Sequence, residues 1–458
     1  MTLINSAKTA IDALNHEDSG IRYHSAWWLG KHRIKSAVPK LVQCLNDERD
    51  RTAAGGYPLR RQAARSLGMI GDSSCIPALL QTLQTKDVQL HEATLRALIA
   101  INNNDCIGPL ITYLDRQDIN KPIEALIETL TTFKACHVRD KIEPFLDSDS
   151  ERIASSAASF FFICTGEASY LENVITLLDH NNRFIRQAAA FDLARIATIS
   201  SADAILEANI PNNIKMFAIK AILCELSNQK SDHTSEESPK ESALRSNLFA
   251  RLDALIKENF SGNLPTSSQE TRPQGRQEDW PKTTQNSTPE AFSMLREPSL
   301  SSRIEGIKLL VTIFENNHKG LSKLYFSESD QDIKMGIIKA MSELKNPSYL
   351  PAFVDAIGVE IGNHCQGNIR RVAANALGEI GSIQREAEES LSLIIEKLNW
   401  TLNQPDDWGL RYSACLALEK MSSIKAKNLL ISAKDSEPDP VVASRISMAL
   451  AEGVDHCN

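Results

Sequence analysis

The sequence predicts an all-α protein: a HEAT/armadillo-like helical-repeat solenoid, in two solenoid segments joined by a disordered tether. Three observations carry this. A helix pattern recurs along the chain, with an apolar residue, usually Arg or Lys next, then small residues and Leu-Gly. Its spacing is that of stacked two-helix repeats. One polar stretch rich in Pro, Ser, Thr and Gln interrupts the pattern.

The copies run IRYHSAWWLG from Ile21, LRRQAARSLGMIG from Leu59, FIRQAAAFDLA from Phe184, IKMGIIKAM from Ile333, IRRVAANALGEIG from Ile369 and LRYSACLAL from Leu410. The anchors Ile21, Leu59 and Leu90 are 38 and 31 residues apart, and Ile333, Ile369 and Leu410 are 36 and 41 apart. Each repeat needs a partner helix. AVPKLVQCL from Ala37 and IPALLQTL from Ile76 carry Pro near the first turn, where an amide hydrogen has no helical partner to lose. Leu79, Leu80 and Leu83 then recur at helical spacing. Asp72 and Asp87 stand where N-caps belong, and Ala63, Ala64, Ala373 and Ala374 let helices approach closely.

The tether has almost no aliphatic side chains to bury. The chain therefore reads as a solenoid at 1–260, a flexible linker at 261–290 and a second solenoid at 291–458. Residues 242–260, ahead of the linker, read as one amphipathic helix. Two halves tied together are held at high effective concentration, as suits halves that act jointly.

Composition removes several classes. Net charge is −8 with no Lys/Arg block, which argues against a nucleic-acid partner. No apolar run approaches the ~20 residues of a transmembrane segment. The N-terminus lacks a basic region followed by an apolar core, so a cytoplasmic location is expected. Nine cysteines without CxxC spacing predict reduced thiols, with neither a disulfide framework nor a zinc site. No Gly-rich phosphate loop, nucleophile elbow or metal-spaced His cluster appears, so neither metal nor cofactor is expected.

The candidate chemistry lies in NHCQGN, residues 363–368, at the mouth of the repeat helix that follows. His364 exchanges protons near neutrality. Cys365 can act as thiol or thiolate if His364 or the helix N-terminus lowers its pKa. Gly367 permits close backbone approach, and Asn363, Gln366 and Asn368 surround the pair with amides. Secondary candidates are Trp28, Tyr57, Arg60 and Arg61 in the first segment and Asp406, Asp407, Trp408 and Arg411 in the second. Each has a plainer reading: Trp28 as core, the arginines as bridges to neighbouring acids, Asp406 or Asp407 as an N-cap.

On IRYHSAWWLG (21–30) and GGYPLRRQAARSLG (55–68), the first half resembles the larger subunit of the heterodimeric bilin lyases, which attach open-chain tetrapyrroles to phycobiliproteins. The second half resembles the smaller subunit, and NHCQGN resembles the motif of its phycoerythrocyanin-type, bilin-isomerising form. Joined in one chain, the two resemble the fused phycoerythrobilin lyase-isomerases. The resemblance implies bilin as substrate, a cysteine of a phycocyanin-type α subunit as acceptor, and phycourobilin as product. It implies catalytic roles for His364 and Cys365. With a bilin as substrate, Arg60, Arg61 and Arg411 can pair with its propionates, or simply bridge to neighbouring acids. Two alternatives stay open. A non-enzymatic scaffold for phycobilisome assembly would leave the acceptor colourless, and a lyase without isomerase activity would leave the product's absorption unshifted.

Overall fold

The computed structural model describes residues 4–49, 51–53, 55–232, 239–257, 288–297, 299–358, 367–383, 387–405 and 407–452. These form α-helices and short 3-10 turns, and no strand occurs among the described residues. The chain divides into two compact units, Met1–Ile214 and Lys215–Asn458.

In the first unit, long helices pack side by side in chain order. Ser19–Lys31 lies on Pro58–Ile70, which lies on Val88–Ile101, followed by Ile123–Thr132, Glu151–Thr165 and Arg183–Ile196. Short helices return between them, such as Val38–Cys44 and Ile76–Thr82, each with Pro in its first turn. The second unit repeats the plan through Leu300–Phe314, Gln331–Leu344, Gly367–Ile383, Trp408–Met421 and Pro440–Glu452.

The caps explain why the helices start where they do. Asp87 accepts from the Leu90 amide at 3.1 Å, and Asp72 caps the 3-10 turn Ser73–Cys75 through the Ser74 amide at 2.9 Å. Asp18, Asn182, Asp330 and Asp407 cap other long helices in the same way. Each satisfies amide hydrogens that a helix start leaves without partners.

The Leu-Gly of the repeat marks the points where helices cross. A Cβ on Gly30 would lie 2.7 Å from the Ser66 Cα, one on Gly68 2.8 Å from the Ala97 Cα, and one on Gly378 2.5 Å from the Ala417 Cα. These contacts are with neighbouring backbone, which cannot swing aside. Ala63, Ala64, Ala373 and Ala374 are all fully buried beside these crossings.

Packing and composition divide the chain at different places. The helix Pro239–Lys257, which sequence composition puts with the first solenoid, packs on Gly367–Ile383 and Trp408–Met421 of the second unit. A half-buried polar clamp holds it there. Asp253 accepts from the Tyr412 hydroxyl at 2.6 Å and pairs with Arg445 at 3.0 Å, and Arg445 also pairs with Glu419 at 2.6 Å. Most of the polar tether falls at 258–287, outside the described residues.

One expectation is overturned. Cys136 and Cys164 form a disulfide, with Cα atoms 5.4 Å apart, so the thiols are not all reduced. The 3-10 turn at Cys136 packs against the end of Glu151–Thr165, which brings together cysteines 28 residues apart in sequence. Cys44, Cys75, Cys106 and Cys415 are free and buried.

The crossings give a sign test. Ala is normally about 1 kcal/mol better than Gly inside a helix. At Gly68 and Gly378 we expect the reverse: Gly→Ala lowers stability by about 1–3 kcal/mol through overpacking. At Gly108, on the helix Ile107–Asp115 with nothing within 4 Å of the added Cβ, the same change leaves stability equal or higher. Denaturant titration of the three variants checks this.

Candidate functional site

The basic residue that follows the apolar anchor of each repeat copy (Ile185 in the copy that begins at Phe184) is held differently in one copy from the others. In most copies it is an arginine, and it reaches back to the loop that enters its helix. Arg22 donates to the carbonyls of His16 and Glu17. Arg60 donates to the Asp47 carbonyl at 2.6 Å, pairs with Glu48 at 3.3 Å and lies over the Tyr57 ring. Arg186 donates to the carbonyls of His180 and Asn181, and Arg411 to those of Gln404 and Pro405. Arg411 also forms a two-pronged ion pair with Glu437 at 2.8–3.1 Å. Loop carbonyls taken out of water need donors, and a five-donor guanidinium supplies several from one side chain.

Arg370 holds the same position in the copy that follows NHCQGN, and it breaks the rule. It is 2% exposed, yet neither Nη1 nor Nη2 has a hydrogen-bond partner, and no carboxylate lies within ion-pair distance among the described residues. Burial pulls its pKa below the usual arginine value, and the charge of Asp407 opposes that. A second cation stands nearby. The Lys397 ammonium donates to the Gly358 carbonyl at 2.6 Å, and its pKa is lowered first by burial and then by the charge of Arg370. Asp355 and Glu396 act on Lys397 in the opposite sense, and Asp355 itself accepts from the Tyr325 hydroxyl.

Trp400 is shared by both cations: Lys397 Nζ is 4.7 Å and Arg370 Cζ 5.8 Å from its ring centroid. Gly358 closes the group. Its φ of 69° and ψ of −173° belong to a region kept almost wholly for glycine. A Cβ there would stand 3.3 Å from Arg370 Nη2. Gly358 and Gly367 are the described residues that bracket the stretch containing the motif.

The sequence candidates fall in several places. Asn363, His364, Cys365, Gln366 and Asp406 lie outside the described residues. Gly367 opens the helix Gly367–Ile383, and the Oδ1 of Asn368 is buried without a partner. Trp28 packs against the first unit's core with its ring on His32. Arg61 donates to Gln89 and keeps a buried Nε without a partner. Asp407 caps its helix through the Leu410 amide at 2.9 Å. Trp408 is half-buried, edge-on to Tyr412 with the Lys220 ammonium over its ring. Arg60, Asp407 and Arg411 have polar groups engaged within the chain, and the Tyr57 ring lies under the Arg60 guanidinium. Sequence reasoning missed Arg370, Lys397 and Trp400. Arg370 looked like one more repeat arginine, and nothing in its local pattern shows that its partners are missing.

The contrast between two arginines can be measured. Arg411→Met strands the buried Glu437 carboxylate and is expected to cost about 3–5 kcal/mol. Arg370→Met removes a buried charge without a partner and is expected to raise stability by about 1–3 kcal/mol. Thermal melts of both variants decide it; equal losses would mean that Arg370 is held like the others.

Comparison with known proteins follows the same lines. The family model described as PBS lyase HEAT-like repeat matches residues 21–47 and 59–85. The bilin biosynthesis protein PecE of Nostoc sp. (strain PCC 7120) is 42% identical over 255 residues, which is 55% of this chain and 97% of that protein. The phycocyanobilin lyase subunit alpha of the same organism is 34% identical over 260 residues, 54% of this chain and 92% of that protein. The solved complex of CpcE and CpcF of phycocyanin lyase, also from Nostoc, aligns at 32% identity and a TM-score of 0.48, over 55% of this chain and 96% of the matched chain. With a relative covered nearly end to end at that identity, the chain belongs to the PBS lyase HEAT-like repeat family, alongside PecE and the phycocyanobilin lyase alpha subunits.

Proposed function

We propose that this chain is a bilin lyase, attaching an open-chain bilin to a cysteine of a phycobiliprotein. The observation that carries the reading is the 42% identity over 97% of the bilin biosynthesis protein PecE. The fuller form of the proposal is that phycoerythrobilin is attached to a phycocyanin-type α subunit and isomerised to phycourobilin in the same event. Support for that form comes from the motif NHCQGN and from the presence of large- and small-subunit-like halves in one chain.

Attachment adds the acceptor thiol across the ethylidene double bond of ring A: the S–H bond and the C=C π bond break, sulfur bonds to the ethylidene carbon, and the proton ends on the adjacent ring-A carbon. The lyase contributes chiefly by fixing the pigment's conformation against the docked acceptor, because orientation is a large share of such a barrier. Isomerisation moves a double bond from the bridge beside ring A into the ring. It removes one proton and returns one, with no net change of atoms. His364 and Cys365 are the proposed acid–base pair: His titrates near neutrality, and a thiol starts near ~8.5 and falls beside a cation. Conjugation shortens, so the product absorbs further to the blue.

Co-expression with phycoerythrobilin and candidate α and β subunits tests this, read by the spectra of tryptic chromopeptides. The full chain is expected to give a coloured α-chain peptide with the blue-shifted spectrum. His364→Ala and Cys365→Ser are expected to keep attachment while slowing isomerisation ~100- to 10,000-fold, the usual contribution of a general acid or base. Their product is then the unisomerised, red-shifted form. A colourless acceptor with the full chain would overturn the lyase reading. Fully isomerised product from both variants would overturn the role of the motif.

A further inference from the structure

We propose that Arg370, Lys397 and Trp400 form a carboxylate-binding subsite that receives one propionate arm of the pigment; this rests on the bilin reading above. Four observations lead there. The repeat arginine is occupied by its own entering loop at Arg22, Arg60, Arg186 and Arg411, but both terminal nitrogens of Arg370 are without partners among the described residues. A second cation, Lys397, flanks the same aromatic ring. Its ammonium has three donors, of which the Gly358 carbonyl takes one. Gly358 leaves room at Arg370 Nη2 that any side chain would narrow to 3.3 Å.

Two like charges held together out of water are unfavourable unless an anion joins them. A guanidinium with two parallel N–H donors matches the two oxygens of a carboxylate, and an ammonium beside it adds charge. Arg370 is buried whereas Lys397 and Trp400 are half-buried, so the acid arm enters past the lysine and the ring and ends on the guanidinium. The position also suits the proposed chemistry. Arg370 begins two residues after the motif ends, so an arm fixed there anchors the pigment close in sequence to His364 and Cys365. This makes Arg370 and Lys397 positioning residues. The nearest carboxylates named by their influence, Asp407, Asp355 and Glu396, leave the guanidinium without an ion pair among the described residues.

The experiment titrates the full chain with phycoerythrobilin and with its dimethyl ester, in wild type, Arg370→Gln and Lys397→Gln, following pigment absorption. A charge-assisted hydrogen bond is worth about 10- to 100-fold in affinity. Wild type is expected to prefer the free acid by about that factor. Arg370→Gln should abolish the preference and Lys397→Gln reduce it, while the ester binds all three proteins equally and far-ultraviolet circular dichroism is unchanged. A wild type without preference, or a preference that survives both substitutions, overturns the subsite. If wild type binds neither pigment, the bilin reading fails on its own and sodium propionate decides the subsite. A rise in melting temperature beyond that given by sodium chloride, lost in Arg370→Gln and in Lys397→Gln, would support it; no such rise would overturn it.

Discussion

Everything else in this molecule depends on how closely the long helices cross. Gly30, Gly68 and Gly378 bring their helices onto the backbone of the next, where an added methyl group would stand 2.5–2.8 Å from a Cα. Close crossing at one fixed residue sets the register of these helices against their neighbours. With register fixed, the residues that open each helix recur in equivalent settings: the cap, the apolar anchor and the arginine that reaches back to the incoming loop.

That recurrence gives the candidate site its meaning. A lone buried arginine is hard to interpret. Arg370 can be compared with four others in the same chain that hold the same repeat position and find partners. The departure coincides with NHCQGN, a stretch that departs from the repeat sequence. It also coincides with a second cation and a glycine in a conformation that other residues avoid. Proteins commonly give up local stability where they bind or react. Here the sacrifice has a definite form, a pair of cations gathered around Trp400 without an ion-paired acid among the described residues.

Much of the fold was legible in the sequence. Periodicity, Pro at helix starts and acidic caps are local signals, and the structure places helices at every quoted repeat. What composition does not reveal depends on distant partners. The helix Pro239–Lys257 reads as belonging with whatever precedes the tether, but Asp253 finds Tyr412 and Arg445, more than 150 residues away. Cys136 and Cys164 look like scattered thiols until the turn and the following helix bring them together. At the site the lesson is the same. Arg60 and Arg411 are candidate propionate holders by sequence, and the structure supplies both with intramolecular partners. Arg370 carried no distinguishing mark except its adjacency to the motif, and Lys397 and Trp400 sit on an ordinary-looking helix, Glu388–Leu402.

The most direct test of the account is an experimental structure of the full chain with phycoerythrobilin bound. The account predicts one propionate within hydrogen-bonding distance of Arg370 Nη1 or Nη2, with Lys397 turned toward it and Arg60 and Arg411 still on their present partners. A pigment seated with its acid arms on Arg60 or Arg411, and Arg370 left as it is, would contradict it.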